Sequence, residues 1–128
     1  MRESRIMKEI MLLASSQKNR LWRNNVGMAW TGNVIRINSN EILIKNPRPF
    51  YAGLCKYSSD LIGFTNVNGI AVFTAVETKD KKGKASKGQK DFIQMINNLN
   101  GISFIARSNE QYIKEIDSWK KKNQNLFI

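Results

Sequence analysis

The chain contains no histidine. That absence removes Ser-His-Asp catalysis, histidine-based nucleases and every histidine-containing zinc site. There is a single cysteine, Cys55, so neither an intrachain disulfide nor a cysteine cluster for metal can form. This usage fits a reducing compartment, and the expected location is cytoplasmic. Lacking a histidine partner, Cys55 reads as a small buried apolar residue rather than a nucleophile. No apolar run approaches the ~20 residues that span a bilayer, so no membrane partner is expected. The stretch Ile10-Met11-Leu12-Leu13-Ala14 is short, and Glu3 and Glu9 stand where a signal peptide would be basic. Acidic residues are scarce. Ten Asp and Glu face 21 Lys and Arg, for a net charge of +11. Such an excess argues for a polyanionic partner, most often nucleic acid. The two prolines both fall in Asn46-Pro47-Arg48-Pro49, which reads as a break.

What is present suits one α/β domain. The chain has 128 residues, 41% of them apolar, enough to bury a core without staples. The expected core runs from about residue 3 to 119, with residues 120–128 a frayed basic tail. Ile6, Ile10, Leu13 and Ala14 recur at helical spacing and predict a helix over Glu3 to about Gln17. Leu21-Trp22 reads as a short strand entering the loop Arg23-Asn24-Asn25-Val26-Gly27. Val34 to Ile37 and Glu41 to Lys45 form a hairpin around Asn38-Ser39-Asn40. Asp60 to Thr65 and Ile70 to Lys79 are stronger strands joined by Asn68-Gly69, both residues tolerant of positive φ. Ser86 caps a helix running to about Leu99, with Gly101 at its end. Ile102 to Ala106 is a buried strand. Ser108 caps a last helix carrying Tyr112, Ile113, Ile116 and Trp119. The order α-β-ββ-ββ-α-β-α predicts a mixed sheet flanked by helices.

A two-residue turn at Asn68-Gly69 sets Asp60 opposite Glu77, with facing Cβ atoms ~4.5–5.5 Å apart. Lys79 lies two residues beyond Glu77 and shares its face. Two opposed carboxylates repel unless a divalent cation lies between them, and hard oxygen donors suit magnesium or manganese. The Thr78 carbonyl is a third candidate ligand. Lys79 is placed to orient water or offset charge on a phosphate. Beside this group lie Lys79, Lys81, Lys82, Lys84, Lys87 and Lys90, a run suited to gripping phosphates. Trp22, Trp30 and Trp119 are candidate base-stacking residues; Trp119 fits the apolar stripe of its helix, which favours core or dimer contact, and Trp30 is a candidate for a DNA or interface contact.

These stretches together resemble the VRR-NUC family, a branch of the PD-(D/E)xK nuclease superfamily, in its standalone phage-type form. The resemblance runs through Glu3, Arg23-Asn24-Asn25-Val26-Gly27, Gly53-Leu54-Cys55, Ser59-Asp60-Leu61-Ile62-Gly63, Glu77-Thr78-Lys79, and Ser86 to Gln89. It covers roughly residues 3 to 108. Tyr57 stands where the family often has glycine, Thr78 where an apolar residue is usual, and Lys87-Gly88 where Pro-Glu is common.

The resemblance implies a restriction-endonuclease-like α/β core. It also implies metal held by Asp60, Glu77 and the Thr78 carbonyl, with Lys79 as catalytic lysine and Gln89 beside it. Ser86 and Gln89 are equally spaced as a capping box. A first-helix acid is implied too; Glu3 matches by spacing, and Glu9 lies further along. Arg23 and Asn24 would contact the nucleic-acid backbone or the water network of the site. The expected function is Mg2+-dependent DNA hydrolysis, with Mn2+ able to substitute and no small-molecule cofactor. Standalone members resemble Holliday-junction resolvases, homodimers acting on branched DNA. The competing readings are a non-catalytic basic binding protein, a sequence-specific nuclease on the same core, and an RNA-directed nuclease.

Overall fold

The computed structural model describes residues 2–127, the side chain of residue 127 excepted. Helix α1 (Glu3–Ser16) is followed by strands β1 (Arg20–Arg23), β2 (Gly27–Arg36), β3 (Ile42–Ala52), β4 (Leu61–Val67) and β5 (Ile70–Thr78). Helix α2 (Lys87–Asn98), strand β6 (Ile102–Ala106), helix α3 (Asn109–Lys122) and a 3-10 turn (Gln124–Phe127) complete the chain. This is the element order expected from sequence.

Four strands form a mixed sheet in the order β1-β4-β5-β6. β4 pairs antiparallel with β1 and β5, whereas β5 and β6 run parallel and are joined through α2. The parallel step requires that long crossover, because a tight turn cannot return the chain to the same direction. The β4–β5 turn has two residues, Asn68 at φ 52° and Gly69 at φ 82°, and pairs Val67 with Ile70 and Leu61 with Val76. Gly63 sits where β1 crosses; a Cβ there would lie 1.9 Å from the Arg20 carbonyl oxygen.

Alternation along the strands separates two faces. Leu61, Val76 and Phe104 pack with Ile6, Ile10 and Ala14 of α1 and Tyr112 and Ile116 of α3. Ala75, Glu77 and Ser103 point the other way, toward α2. There Ser103 Oγ donates to the Ala75 carbonyl, and Asn97 of α2 bonds both the amide and the carbonyl of Ser103. The helices therefore cover both faces, and Glu77 lies on the α2 side.

β2 and β3 form a separate two-stranded ribbon. The expected break at Pro47 and Pro49 is not there: both lie inside β3, and Pro49 faces Trp30. A two-stranded ribbon leaves one edge of each strand open, so a residue without an N–H is tolerated. The ladder shifts register between Thr31 and Asn33, and Asn46 absorbs the irregularity at φ 53°.

Three smaller expectations also change. Asn100, at φ 62°, takes the left-handed position after α2, not Gly101. The basic tail does not fray at residue 120: Lys120, Lys121 and Lys122 form the last turn of α3, where cations oppose the negative end of the helix dipole. The last residue of that tail lies outside the described residues. Cys55 is exposed, because residues 53–57 form a surface turn, closed beneath by the buried Ser58, whose Oγ donates to the Cys55 carbonyl. Trp119 does reach the core margin, and its indole N–H donates to the Gly101 carbonyl.

Candidate active site

Glu77 occupies the penultimate position of β5 and is 2% exposed. Its Oε1 accepts a hydrogen bond from Gln89 Nε2 at 3.2 Å and lies 3.7 Å from Lys79 Nζ. Its Oε2 is buried without a hydrogen-bond partner among the described residues. Burial pushes the Glu77 carboxyl up to about 8 from an ordinary 4.5. The Asp60 carboxyl, near enough to share a proton with a neutral Glu77, pushes the same way through that proton and through its negative charge, Lys79 opposes it, and the charge of Glu3 adds to the rise. The metal-free site thus favours a proton on Glu77 at neutral pH.

Asp60 stands one residue outside the β4–β5 ladder. Its Oδ2 accepts from the Thr78 backbone N–H at 2.9 Å and from the Thr78 hydroxyl at 3.0 Å. The Thr78 hydroxyl thus joins the backbone N–H in aiming Asp60.

Asn24, expected at the nucleic-acid backbone or in the water network of the site, lines the cleft and bonds its side chain to the protein. Its Nδ2 donates to Ser58 Oγ at 2.7 Å and to the Ser59 carbonyl at 2.8 Å, and its Oδ1 accepts from the Leu54 N–H at 2.8 Å. Its backbone N–H donates to the Asp60 carbonyl at 2.7 Å. Asn24 clips the loop that delivers Asp60 onto the end of β1. Arg23 closes β1 opposite Leu61 and is exposed.

Gln89 serves two partners. Its Oε1 accepts from the Ser86 N–H, and the Ser86 hydroxyl accepts from the Gln89 N–H, a complete capping box. The remaining amide hydrogens reach Glu77, so the cap and the site contact coexist.

Of the two first-helix acids, Glu3 is the one near the site. A Cβ at Gly83 would lie 3.0 Å from Glu3 Oε1 and 3.2 Å from the Lys79 chain. Glu9 instead pairs with Arg5 at 3.3 Å.

The lysine loop is ordered by groups the sequence did not single out. Asp80 Oδ1 accepts from the N–H groups of Lys82 and Gly83, which hold its carboxyl below the usual range. The Arg107 guanidinium donates to the carbonyls of Asp80 and Gly83. Lys81, Lys82, Lys84 and Lys87 are exposed on this frame, with Lys87 paired to Asp91 at 2.9 Å. Nothing in local spacing flags Arg107, since its partners are backbone carbonyls more than twenty residues earlier.

These elements border a cleft of about 370 Å³ lined by Asn24, Tyr57, Ser58, Asp60 and Gln89. Tyr57 has φ 69°, the left-handed region that favours glycine. A Cβ at Gly88 would lie 2.5 Å from its ring. Tyr57 and Gly88 are thus one packed pair.

The donor set suits a hard cation. Among the described residues no three His, Cys, Asp or Glu side chains converge, so two carboxylates would leave the other positions to carbonyl, water and substrate oxygens. The orphaned, buried Glu77 Oε2 is the atom such an ion would satisfy.

The VRR-NUC domain model matches residues 2–110 of the 128. The chain belongs to the VRR-NUC domain family. Membership makes this a nuclease-type, DNA-processing domain, and its mixed sheet with three helices is consistent with a restriction-endonuclease-like core. No curated protein matches the chain significantly. In this VRR-NUC chain no helix among the described residues is long and apolar enough to cross a membrane.

Proposed function

We propose that this VRR-NUC domain is a divalent-metal-dependent DNA endonuclease of the PD-(D/E)xK type, acting preferentially on branched DNA. The observation that carries the reading is the buried Glu77 carboxylate, with one oxygen unpartnered, beside Asp60 and Lys79. A carboxyl so placed disfavours its own charge, and a cation is what restores it. Asp60, Glu77 and the Thr78 carbonyl would hold Mg2+ or Mn2+. A bound ion supplies Lewis acidity toward a phosphate oxygen and acidifies water. Lys79 Nζ, anchored by Glu77, offsets charge developing on the phosphate. Gln89 holds Glu77 by Oε1 and leaves Oε2 free. Glu3 adds negative potential that favours cation capture. Arg23, Lys81, Lys82, Lys84 and Lys87 grip flanking phosphates, which positions DNA without reading its bases. Discrimination then falls to shape and deformability.

The test compares an end-labelled four-way junction with linear duplex of the same sequence, in Mg2+, Mn2+ or EDTA. The expected result is paired nicks on opposed strands of the junction, at least tenfold slower cleavage of the duplex, and none in EDTA. Equal rates on both substrates contradict the structural preference. A band shift without cleavage supports the non-catalytic binding reading.

One chain carries one site, so paired cuts need two chains. The ribbon supports a homodimer. Met28, Trp30 and Val34 alternate along β2 and project from one face, opposite Tyr51, Pro49 and Ile44 of β3. Trp30 is 51% exposed and Tyr51 83%, with Met28, Val34 and Ile42 also more than half exposed. With aromatic side chains of ~150–250 Å², this face offers roughly 500 Å² per chain, near the lower bound for a specific dimer. Light scattering of the wild type should give twice the chain mass, and Trp30→Glu should give the monomer mass with its melting curve retained. A monomeric wild type contradicts the dimer.

A further inference from the structure

Tyr57 is an expensive residue where it stands. Its φ of 69° is costly for a bulky side chain, and its ring excludes any side chain at position 88. A residue that merely filled space there would be buried, yet Tyr57 is 46% exposed and lines the cleft with Asp60 and Gln89. The ring is braced against the first turn of α2, and Lys56 Nζ lies 5.0 Å from its centroid. It therefore presents a braced π surface on the cleft that Asp60 also lines, with the Lys56 ammonium beside it.

We propose that Tyr57 is a substrate-selecting platform, stacking on an unpaired nucleobase next to the scissile phosphate. This rests on the nuclease reading above and sharpens its substrate class to DNA with a nucleotide that is unpaired, or can open, at the cut, as at the foot of a flap or the crossover of a junction. Bases in continuous duplex already stack on their neighbours and have no free face to offer, whereas an unpaired base does. Arrival of that base displaces the exposed Lys56 ammonium toward the backbone.

The test uses the full chain in EDTA, so that binding is read without cleavage. The probe is duplex DNA with a single-stranded flap, carrying 2-aminopurine at the first unpaired nucleotide. Wild type and Tyr57→Phe should quench its fluorescence and bind alike. Tyr57→Asn, which tolerates the left-handed backbone, should leave it bright and bind about five- to a hundredfold more weakly. Affinity for continuous duplex should stay within twofold. In Mg2+ the same variant should raise KM for the flap DNA with kcat retained. Tyr57→Gly, which removes the ring and the strain together, is run beside it so that a folding defect in one variant leaves the other to decide. Quenching and affinity unchanged in a folded Asn or Gly variant would overturn the platform. Quenching by a wild type that cuts nothing in Mg2+ would instead sink the nuclease reading and leave the platform standing.

Discussion

Glu77→Gln should abolish cleavage and, in the metal-free protein, raise stability. Both effects come from the same buried carboxyl. In the unfolded chain Glu77 titrates at its ordinary 4.5, while in the folded chain burial and Asp60 raise it to about 8. A raised value means that the folded state holds the proton longer. The corresponding stability is fully present below pH 4.5 and is lost as the pH climbs through about 8. At pH 8 the loss is on the order of a few kcal/mol. Glutamine keeps the shape and the Gln89 contact without the charge. Metal-free wild type should therefore melt progressively lower between pH 5 and 8, while Glu77→Gln stays flat and melts roughly 5–15 °C higher at pH 8. Magnesium should raise the wild-type melting temperature at pH 8 and leave the variant unmoved. Parallel pH profiles for the two proteins would contradict this assignment of Glu77.

The second large effect is expected from a residue that touches no reacting atom. Asn24→Ala removes three side-chain hydrogen bonds, to Ser58, to the Ser59 carbonyl and to the Leu54 N–H. Ser58 and Ser59 are buried, so water replaces these bonds poorly. Unsatisfied buried groups cost ~1–3 kcal/mol each, and partial rehydration leaves a net loss of about 2–3 kcal/mol. The melting temperature should fall by roughly 8–12 °C. Cleavage should also fall at least tenfold at temperatures where the variant is folded, because the loop that sets Asp60 loses its clip. Asn25→Ala, one residue on at an exposed position, should change stability by less than about 0.5 kcal/mol. Equal melting temperatures for Asn24→Ala and wild type would remove Asn24 from this role.

Local signals carried most of the fold. Asn68-Gly69 dictates a two-residue turn, and the turn alone sets which residues of β4 and β5 face each other. Ser86 and Gln89 announce the start of α2 because capping depends on a three-residue spacing. Asp60, Glu77 and Lys79 were legible for the same reason, since the hairpin brings them to one end. What escaped was contact between distant segments. Pro47 and Pro49 read as a break because nothing local says that β3 has an open edge. Asn24 reads as a contact to the DNA backbone or the water network of the site, and only the folded chain shows its bonds to Ser58 and Leu54. Arg107 binds carbonyls, which leave no trace in side-chain pattern. Tyr57 and Gly88 lie on separate segments, and only the folded chain shows that the ring needs the missing side chain.

Metal-dependent strand cleavage through Glu77 and Asp60 is tested most directly by the nicking of supercoiled plasmid by wild type and Glu77→Gln, each in Mg2+ and in EDTA. Nicked and linear products should form with wild type in Mg2+ alone, with the glutamine variant at least a thousandfold slower. Cleavage that persists in EDTA, or that proceeds equally in the variant, would contradict it.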